Sequence, residues 1–150
     1  MNFKDLLEEH QQRVRNGLND VILDFVKRSQ EHDMDKLLDE RVASVYEEHF
    51  TTLKTFDFGT KEYFDYEREN FAGAHEIHAQ NRHHFYSFRN TTTKPNLNDL
   101  IEAMIDIRSS MEQYNGDFTD EEVLEVYRKK GILDISLEEY ILNSLKEMGK

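Results

Sequence analysis

The fold class is clearest in residues 97–114, LNDLIEAMIDIRSSMEQY. The apolar residues recur at steps of three and four, which is the spacing of one buried face on an α-helix. They are Leu97, Leu100, Ile101, Met104, Ile105 and Met111. Asp106 lies inside the most apolar part of the stretch, where an ionised carboxylate is costly unless it is paired or bound to a metal. The stretch therefore predicts a core helix that carries a functional acid.

Helical spacing continues on both sides of this stretch. The other predicted helices cover residues 3–29, 33–50, 60–81, 119–130 and 136–148. Thr119 and Ser136 each precede a glutamate by three positions, which is the capping-box signature of a helix start. Strand-like runs of Val, Ile and Thr are missing, and there is one proline with only six glycines. We predict an all-α bundle of about six helices in a single domain over residues 1–150.

The composition excludes several classes of function. The net charge of −12 disfavours nonspecific binding to nucleic acid or to an anionic membrane, because both would repel the surface. The acidic surface either keeps the protein soluble or imitates nucleic acid toward a DNA-binding partner. Absence of cysteine excludes thiolate metal sites and cysteine nucleophiles. The N-terminus is charged from its fourth residue and no apolar run could span a bilayer, so we predict a cytoplasmic protein.

Residues 71–88, FAGAHEIHAQNRHHFYSF, hold four of the seven histidines. They are His75, His78, His83 and His84. Neutral imidazole is the commonest protein ligand for transition metals. His75 and His78 share a helix face, whereas the other two follow a predicted helix end, so a turn could return one or both toward His78. One unbroken helix would spread the four around more than half of its circumference, so a single site that uses all four is not expected.

Further candidate ligands lie outside this cluster. His10 lies on the apolar stripe of the first helix and is predicted to point into the core. His32 and Asp33 are adjacent at the start of the second helix, where both side chains can reach one cation and the carboxylate can bridge to a second cation. Alternatively, Asp33 is a simple N-cap of that helix. Mixed imidazole and carboxylate ligands, with Asp106 added, suit one or two ions of Mn, Fe, Zn or Mg.

The order His, His-Asp, Asp with a lysine three positions after the first Asp resembles the HD superfamily of metal-dependent phosphohydrolases. The matching residues are His10, His32, Asp33, Lys36 and Asp106. The sequence is similar also to a group of small bacterial and phage proteins with the motifs HDxSK, HxxxNxHH and ExxxD. The corresponding segments are HDMDK (32–36), HAQNRHH (78–84), which is one residue shorter, and EAMID (102–106). Asp35 stands where these families carry a small residue.

This resemblance implies an HD-like helical core that hydrolyses a nucleotide or another small phosphate ester with a metal-activated water. The implied metal ligands are His10, His32, Asp33, His78, His83, His84 and Asp106. The implied catalytic residues are Lys36, Asp33, Arg82 and Glu102. In these roles Lys36 and Arg82 contact the phosphate, and Glu102 orients a ligating histidine.

Two alternatives stay open on the sequence. The same ligands could hold two irons in an HD-like oxygenase. An acidic phage-type protein could instead bind and inhibit a host protein, with histidines that are structural or hold a metal as a staple. For the leading interpretation, the expected partner is a small phosphorylated substrate in the cytosol of a bacterium or a phage-infected host. Neither nonspecific nucleic acid nor a membrane is expected as a partner, and a homodimer is left open.

Overall fold

The computed structural model describes residues 2–148, which form eight α-helices and two 3₁₀ turns. The helices are α1 (Phe3–Glu31), α2 (Asp35–Leu38), α3 (Glu40–Leu53), α4 (Lys61–Asn70), α5 (Ala72–His78), α6 (Leu97–Asn115), α7 (Asp120–Lys129) and α8 (Leu137–Met148). The 3₁₀ turns are Arg82–His84 and Ile132–Asp134. No described residue lies in a strand, so the prediction of an all-α fold is confirmed.

The chain divides into two compact units, the first ending at Met34 and the second beginning at Asp35. The prediction of one domain over the whole chain stays a prediction. In the first unit, α1 begins at an Asn2 capping box, in which the Asn2 side chain accepts a hydrogen bond from the Asp5 N–H. None of the residues of α1 is buried. His10 is exposed, so the expectation that it points into the core is wrong.

The second unit is built around α6, which presents Ala103, Ile107 and Met111 to the core with at most 2% of each exposed. Against α6 pack α7, α8 and the turn Arg82–His84, whereas α3 packs against α4 and α5. Other core residues come from every part of this unit: Leu53, Phe58, Tyr63, Phe71, Phe85, Val123, Val126, Tyr127, Ile132 and Tyr140. The turn Arg82–His84 thus follows α5 in the chain and rests on α6.

Helix boundaries differ from the prediction where single residues leave helical geometry. Phe71 (φ −111°, ψ 7°) separates α4 from α5 inside the predicted helix 60–81, and its side chain is 0% exposed. Asp39 is extended and caps α3 by accepting from the Arg41 N–H. Asp33 has φ 57°, a left-handed conformation that Asp tolerates better than most residues, and therefore is not the helix N-cap proposed for it.

The caps downstream agree with the sequence. Asn96 caps α6, and Thr119 with Glu122 forms the capping box of α7. The Ser136 Oγ accepts a hydrogen bond from the Glu139 N–H at the start of α8. None of the helices among residues 2–148 has the length and apolar content that crossing a membrane requires.

Candidate metal centre

Three histidines of the second unit converge at the turn after α5. His78 is the last residue of α5, and the Asn81 N–H donates to the His78 carbonyl at 3.1 Å, which reverses the chain. The turn returns His84 so that its Nε2 lies 2.8 Å from His78 Nε2. Ring nitrogens of His78, His83 and His84 lie within 4.8 Å of one another. Because a metal–imidazole bond is about 2.0–2.1 Å long, two nitrogens on one ion lie at most about 4.2 Å apart. The His78–His84 pair meets this limit, and the 4.8 Å bound places His83 within a small shift of it.

Asp35 orients the first of these rings. Its Oδ2 lies 2.7 Å from His78 Nδ1, and its Oδ1 accepts from the Asn81 amide at 3.3 Å. Burial is the largest single influence and acts to raise the pKa of the Asp35 carboxyl. The hydrogen bond and charge interaction with His78, the hydrogen bond from Asn81 and the charge of Lys36 together outweigh it, so the pKa lies below its ordinary value. The ionised carboxylate favours a proton on Nδ1, which leaves Nε2 as the lone-pair donor toward the cluster.

The other two rings also have a partner. Glu102 Oε1 lies 3.2 Å from His83 Nδ1, and the Tyr86 hydroxyl lies 2.9 Å from His84 Nδ1. Metal-binding histidines usually carry such a partner on the nitrogen away from the ion, because it sets the tautomer and the ring orientation. Burial, followed by the neighbouring His83 and His78, holds the pKa of His84 well below its ordinary value. His84 is therefore neutral at pH 7, as a metal ligand must be.

A carboxylate lies beside one of these histidines. Asp106 offers an oxygen within 4.8 Å of a ring nitrogen of His83. It lies one turn after Glu102 on α6, so both acids project from the same helix face. Imidazole nitrogens together with a carboxylate oxygen fit Mn, Fe or Zn. The described residues of the second unit can therefore hold a metal ion by themselves.

The first unit contains the remaining predicted ligands. His32 caps the C-terminus of α1 by donating its N–H to the Arg28 carbonyl, and its Nε2 lies 3.7 Å from Asp33 Oδ1. His10 lies 22 positions earlier on the same continuous helix, about 33 Å away at 1.5 Å per residue. His10 therefore cannot share a metal site with His32, and that part of the predicted ligand set is wrong. The metal roles of His32 and Asp33 stay predictions.

His75 is held in the packing around Phe71. Its ring stacks on Phe71 at a centroid distance of 5.4 Å, and its Nε2 lies 3.4 Å from Glu67 and 3.5 Å from the Tyr46 hydroxyl. Burial, followed by the positive charge of neighbours such as His78, lowers the pKa of His75 to about 3. His75 is thus a neutral core histidine outside the converging group.

Arg82, a predicted catalytic residue, is held by two carboxylates. Its Nε and Nη2 donate to the two Asp99 oxygens at 2.9 and 2.6 Å, and Nη2 also donates to Glu147 at 2.9 Å. The Asp99 side chain is 0% exposed and accepts from the Asn96 N–H as well. Arg82 therefore ties α6 to α8, and its catalytic role stays a prediction.

Two lysines lie beside the cluster. Lys36, which the sequence predicted, has its Nζ 4.9 Å from the centroid of the Tyr46 ring. Lys130 was not predicted; its Nζ lies 5.2, 5.3 and 5.2 Å from the ring centroids of Phe58, Phe64 and Tyr86. Asp35, Tyr86 and Lys130 are the site residues that sequence reasoning missed. Asp35 alone had a local signal, an extra acid inside HDMDK.

The fold and this cluster define the class of the protein: an all-α protein with a histidine-rich candidate metal centre. The chain belongs to DUF5662, a family of unknown function that matches residues 1–148. No curated protein and no solved structure matches the chain. The metal centre therefore has to be interpreted from its own geometry.

Replacing Asp35 by Asn should weaken metal binding about 10- to 100-fold, which is the usual cost of removing a hydrogen-bond partner of a metal ligand. Asn cannot supply the negative charge that keeps the proton on His78 Nδ1. A titration of chelator-stripped protein with Mn²⁺ or Zn²⁺ measures the affinity. Asp57→Asn, the same change at an exposed aspartate, is the matched control and should bind as the unmodified protein does.

Proposed function

We propose that this protein is a metal-dependent phosphohydrolase that acts on a small phosphate ester, a nucleotide included. The observation that carries the proposal is the convergence of His78, His83 and His84, whose ring nitrogens lie within 4.8 Å of one another. The partners on Nδ1 of the three rings are compatible with it, because they leave the Nε2 atoms of His78 and His84 directed toward each other. The resemblance of the HDMDK and HAQNRHH segments to HD-type phosphohydrolases points to the same chemistry.

Different residues of the site would have different roles in such a reaction. When bound, a divalent ion supplies a lowered pKa for a water molecule and positive charge for the phosphoryl oxygens. Asp35 and Glu102 keep two of the rings in the tautomer that binds metal. Asp106 offers a carboxylate next to His83, where it can ligate the ion or accept a proton from water. Lys36 supplies a positive charge close to the rings for an anionic substrate.

The surroundings favour a small anion despite the net charge of −12. The positive charges of Lys36, Arg89 and Lys130 all act to lower the pKa of His75, after burial and His78. The same three cations oppose the effect of burial on the pKa of Glu67. Three cations therefore lie near the histidines of an acidic protein, and they can attract a compact phosphorylated compound more effectively than a polymer.

Replacing His84 by Ala should remove bound metal and abolish phosphatase activity. The tests are elemental analysis of the purified protein and a screen of phosphate esters in the presence of Mn²⁺. His10→Ala is the matched control: it makes the same change at an exposed histidine far along α1 and should keep both metal and activity. If His84→Ala retains full metal content and full activity, the proposal is wrong.

The same measurements separate the alternatives predicted from the sequence. Bound iron with a visible absorption band and oxygen uptake would indicate an oxygenase in place of a hydrolase. Capture of one host enzyme that His84→Ala does not affect, with no hydrolysis of any ester, would indicate an inhibitor protein.

A further inference from the structure

We propose that Lys130 binds the phosphate of the substrate and, with Lys36, makes the site selective for phosphate monoesters, which carry two negative charges. This inference rests on the proposed phosphohydrolase function. It adds a residue outside every motif in the sequence and a substrate class within the phosphate esters.

The position of Lys130 is unusual for a lysine. It is the C-cap of α7, and Gly131 after it adopts φ 75°, a left-handed conformation that ends the helix. A lysine at a helix C-terminus normally extends its ammonium into water near the helix dipole. Here the ammonium lies among the rings of Phe58, Phe64 and Tyr86, each about 5 Å away.

The aromatic rings compensate only part of the cost of this placement. Cation–π contacts offset only part of the desolvation of an ammonium, and a shielded ammonium usually also gains an ion pair. Among the described residues, no carboxylate lies within ion-pair distance of Lys130 Nζ. Burial lowers the pKa of this ammonium, and the charges of Glu67 and Asp106 act in the opposite direction from farther away. An anion next to Lys130 would therefore be bound strongly.

Tyr86 places this ammonium beside the histidine cluster. One face of its ring contacts Lys130, and its hydroxyl lies 2.9 Å from His84 Nδ1. Lys36 is likewise separated from a histidine of the cluster by a tyrosine ring. Its Nζ contacts the Tyr46 ring, and the centroid of that ring lies 6.4 Å from the centroid of the His78 ring. Each lysine is thus one tyrosine ring away from a converging histidine.

The two cations define the preferred charge of the ligand. Lys130 lies on the ring of Tyr86, whose hydroxyl contacts His84, and Lys36 lies on the ring of Tyr46 beside His78, so both ammonium charges are close to the cluster. A terminal phosphate carries about two negative charges at neutral pH, whereas a phosphodiester carries one. Since the Coulomb energy scales with charge, the pair favours the monoester.

The test is isothermal titration of the purified full-length protein with inorganic phosphate, comparing Lys130→Met with Lys129→Met. Lys129 is the exposed neighbour, so its change is the matched control. We expect Lys130→Met to raise the Kd for phosphate about tenfold or more, since it removes a charge-assisted contact, and Lys129→Met to leave it unchanged. The melting temperature of Lys130→Met should be equal or higher, because methionine fills the aromatic cage without a buried charge.

Selectivity is measured by competition of phenyl phosphate and diphenyl phosphate against inorganic phosphate. The unmodified protein should prefer the monoester, and Lys130→Met should lose most of that preference. If Lys130→Met does not fold, Lys130→Gln, which keeps a polar side chain of similar length, is judged by the same criteria.

Three results would overturn the inference: no binding of phosphate to the unmodified protein, unchanged binding by the Lys130 variant, or an equal preference for the diester. These outcomes are distinct from failure of the proposed function. Phosphate binding that depends on Lys130 without hydrolysis of any ester would support the inference and contradict the phosphohydrolase proposal. Normal hydrolysis of phosphate esters together with unchanged phosphate binding by Lys130→Met would support the phosphohydrolase proposal and contradict the inference about Lys130.

Discussion

Arg82→Ala should destabilise the second unit by about 3 kcal/mol, a value at the lower end for breaking a buried ion pair. The Asp99 carboxylate is 0% exposed, and Arg82 supplies two of its hydrogen bonds. Without the guanidinium, this buried carboxylate would lose both of those charge-assisted hydrogen bonds. We expect a loss at the lower end of the range for buried ion pairs because the Arg82 side chain is itself 46% exposed, so part of its charge is already screened by water.

Urea denaturation measures this loss in the free energy of unfolding. Two further variants test whether the buried ion pair is its cause. The double variant Arg82→Ala with Asp99→Ala should be more stable than the sum of the single changes predicts, because the buried carboxylate is removed together with the guanidinium. Arg41→Ala removes an arginine from an exposed ion pair with Asp39 and should cost less than about 1 kcal/mol. If Arg82→Ala is as stable as Arg41→Ala but loses phosphate binding, Arg82 is a substrate contact after all.

Lowering the pH from 7.5 to 5.0 should destabilise the metal-free protein by about 2 kcal/mol through His75 alone, as follows from linkage. Burial first, then neighbouring positive charge, lowers the pKa of His75 from 6.5 to about 3 in the folded state. Between these two values the unfolded chain binds a proton that the folded chain excludes. Acid therefore favours unfolding, and the stabilisation is lost as the pH falls below 6.5. The pKa of His84 is lowered in the same direction.

The measurement compares urea midpoints at the two pH values after removal of metal by a chelator. His75→Phe keeps a ring to stack on Phe71 but cannot titrate, so its loss between the two pH values should be smaller by about 2 kcal/mol. His10→Phe, at an exposed position, should retain the full loss. An equal loss in His75→Phe would show that His75 is not the residue responsible.

The helices downstream of residue 96 were predictable because their signals are local. Asn96, Thr119 and Ser136 each place a side-chain acceptor three residues before a backbone N–H that needs one, and these caps depend on neighbouring residues only. The break at Phe71 has no such signal. No proline or glycine occupies that position, and the residue leaves helical geometry while its ring packs against Tyr46 at a centroid distance of 5.0 Å.

The candidate site likewise contains residues that the sequence predicted and residues that it did not. Residue types and spacing predicted a metal centre, and they identified His78, His83, His84 and Asp106 as candidates. Helix length could also have excluded His10, because the predicted helix 3–29 already separates it from His32 by most of its length.

By itself, the sequence determined an all-helical chain, most of its caps, and a histidine cluster with acids nearby, because these follow from periodicity and composition over short distances. Only the tertiary structure decided which side chains meet. Asp35 reaches His78 across 43 positions of sequence, and Arg82 turns toward Asp99. Lys130 lies on Tyr86 because α7 packs against α6, on which the histidine turn also rests. Such contacts depend on how separate helices pack, and no local pattern of residues encodes them.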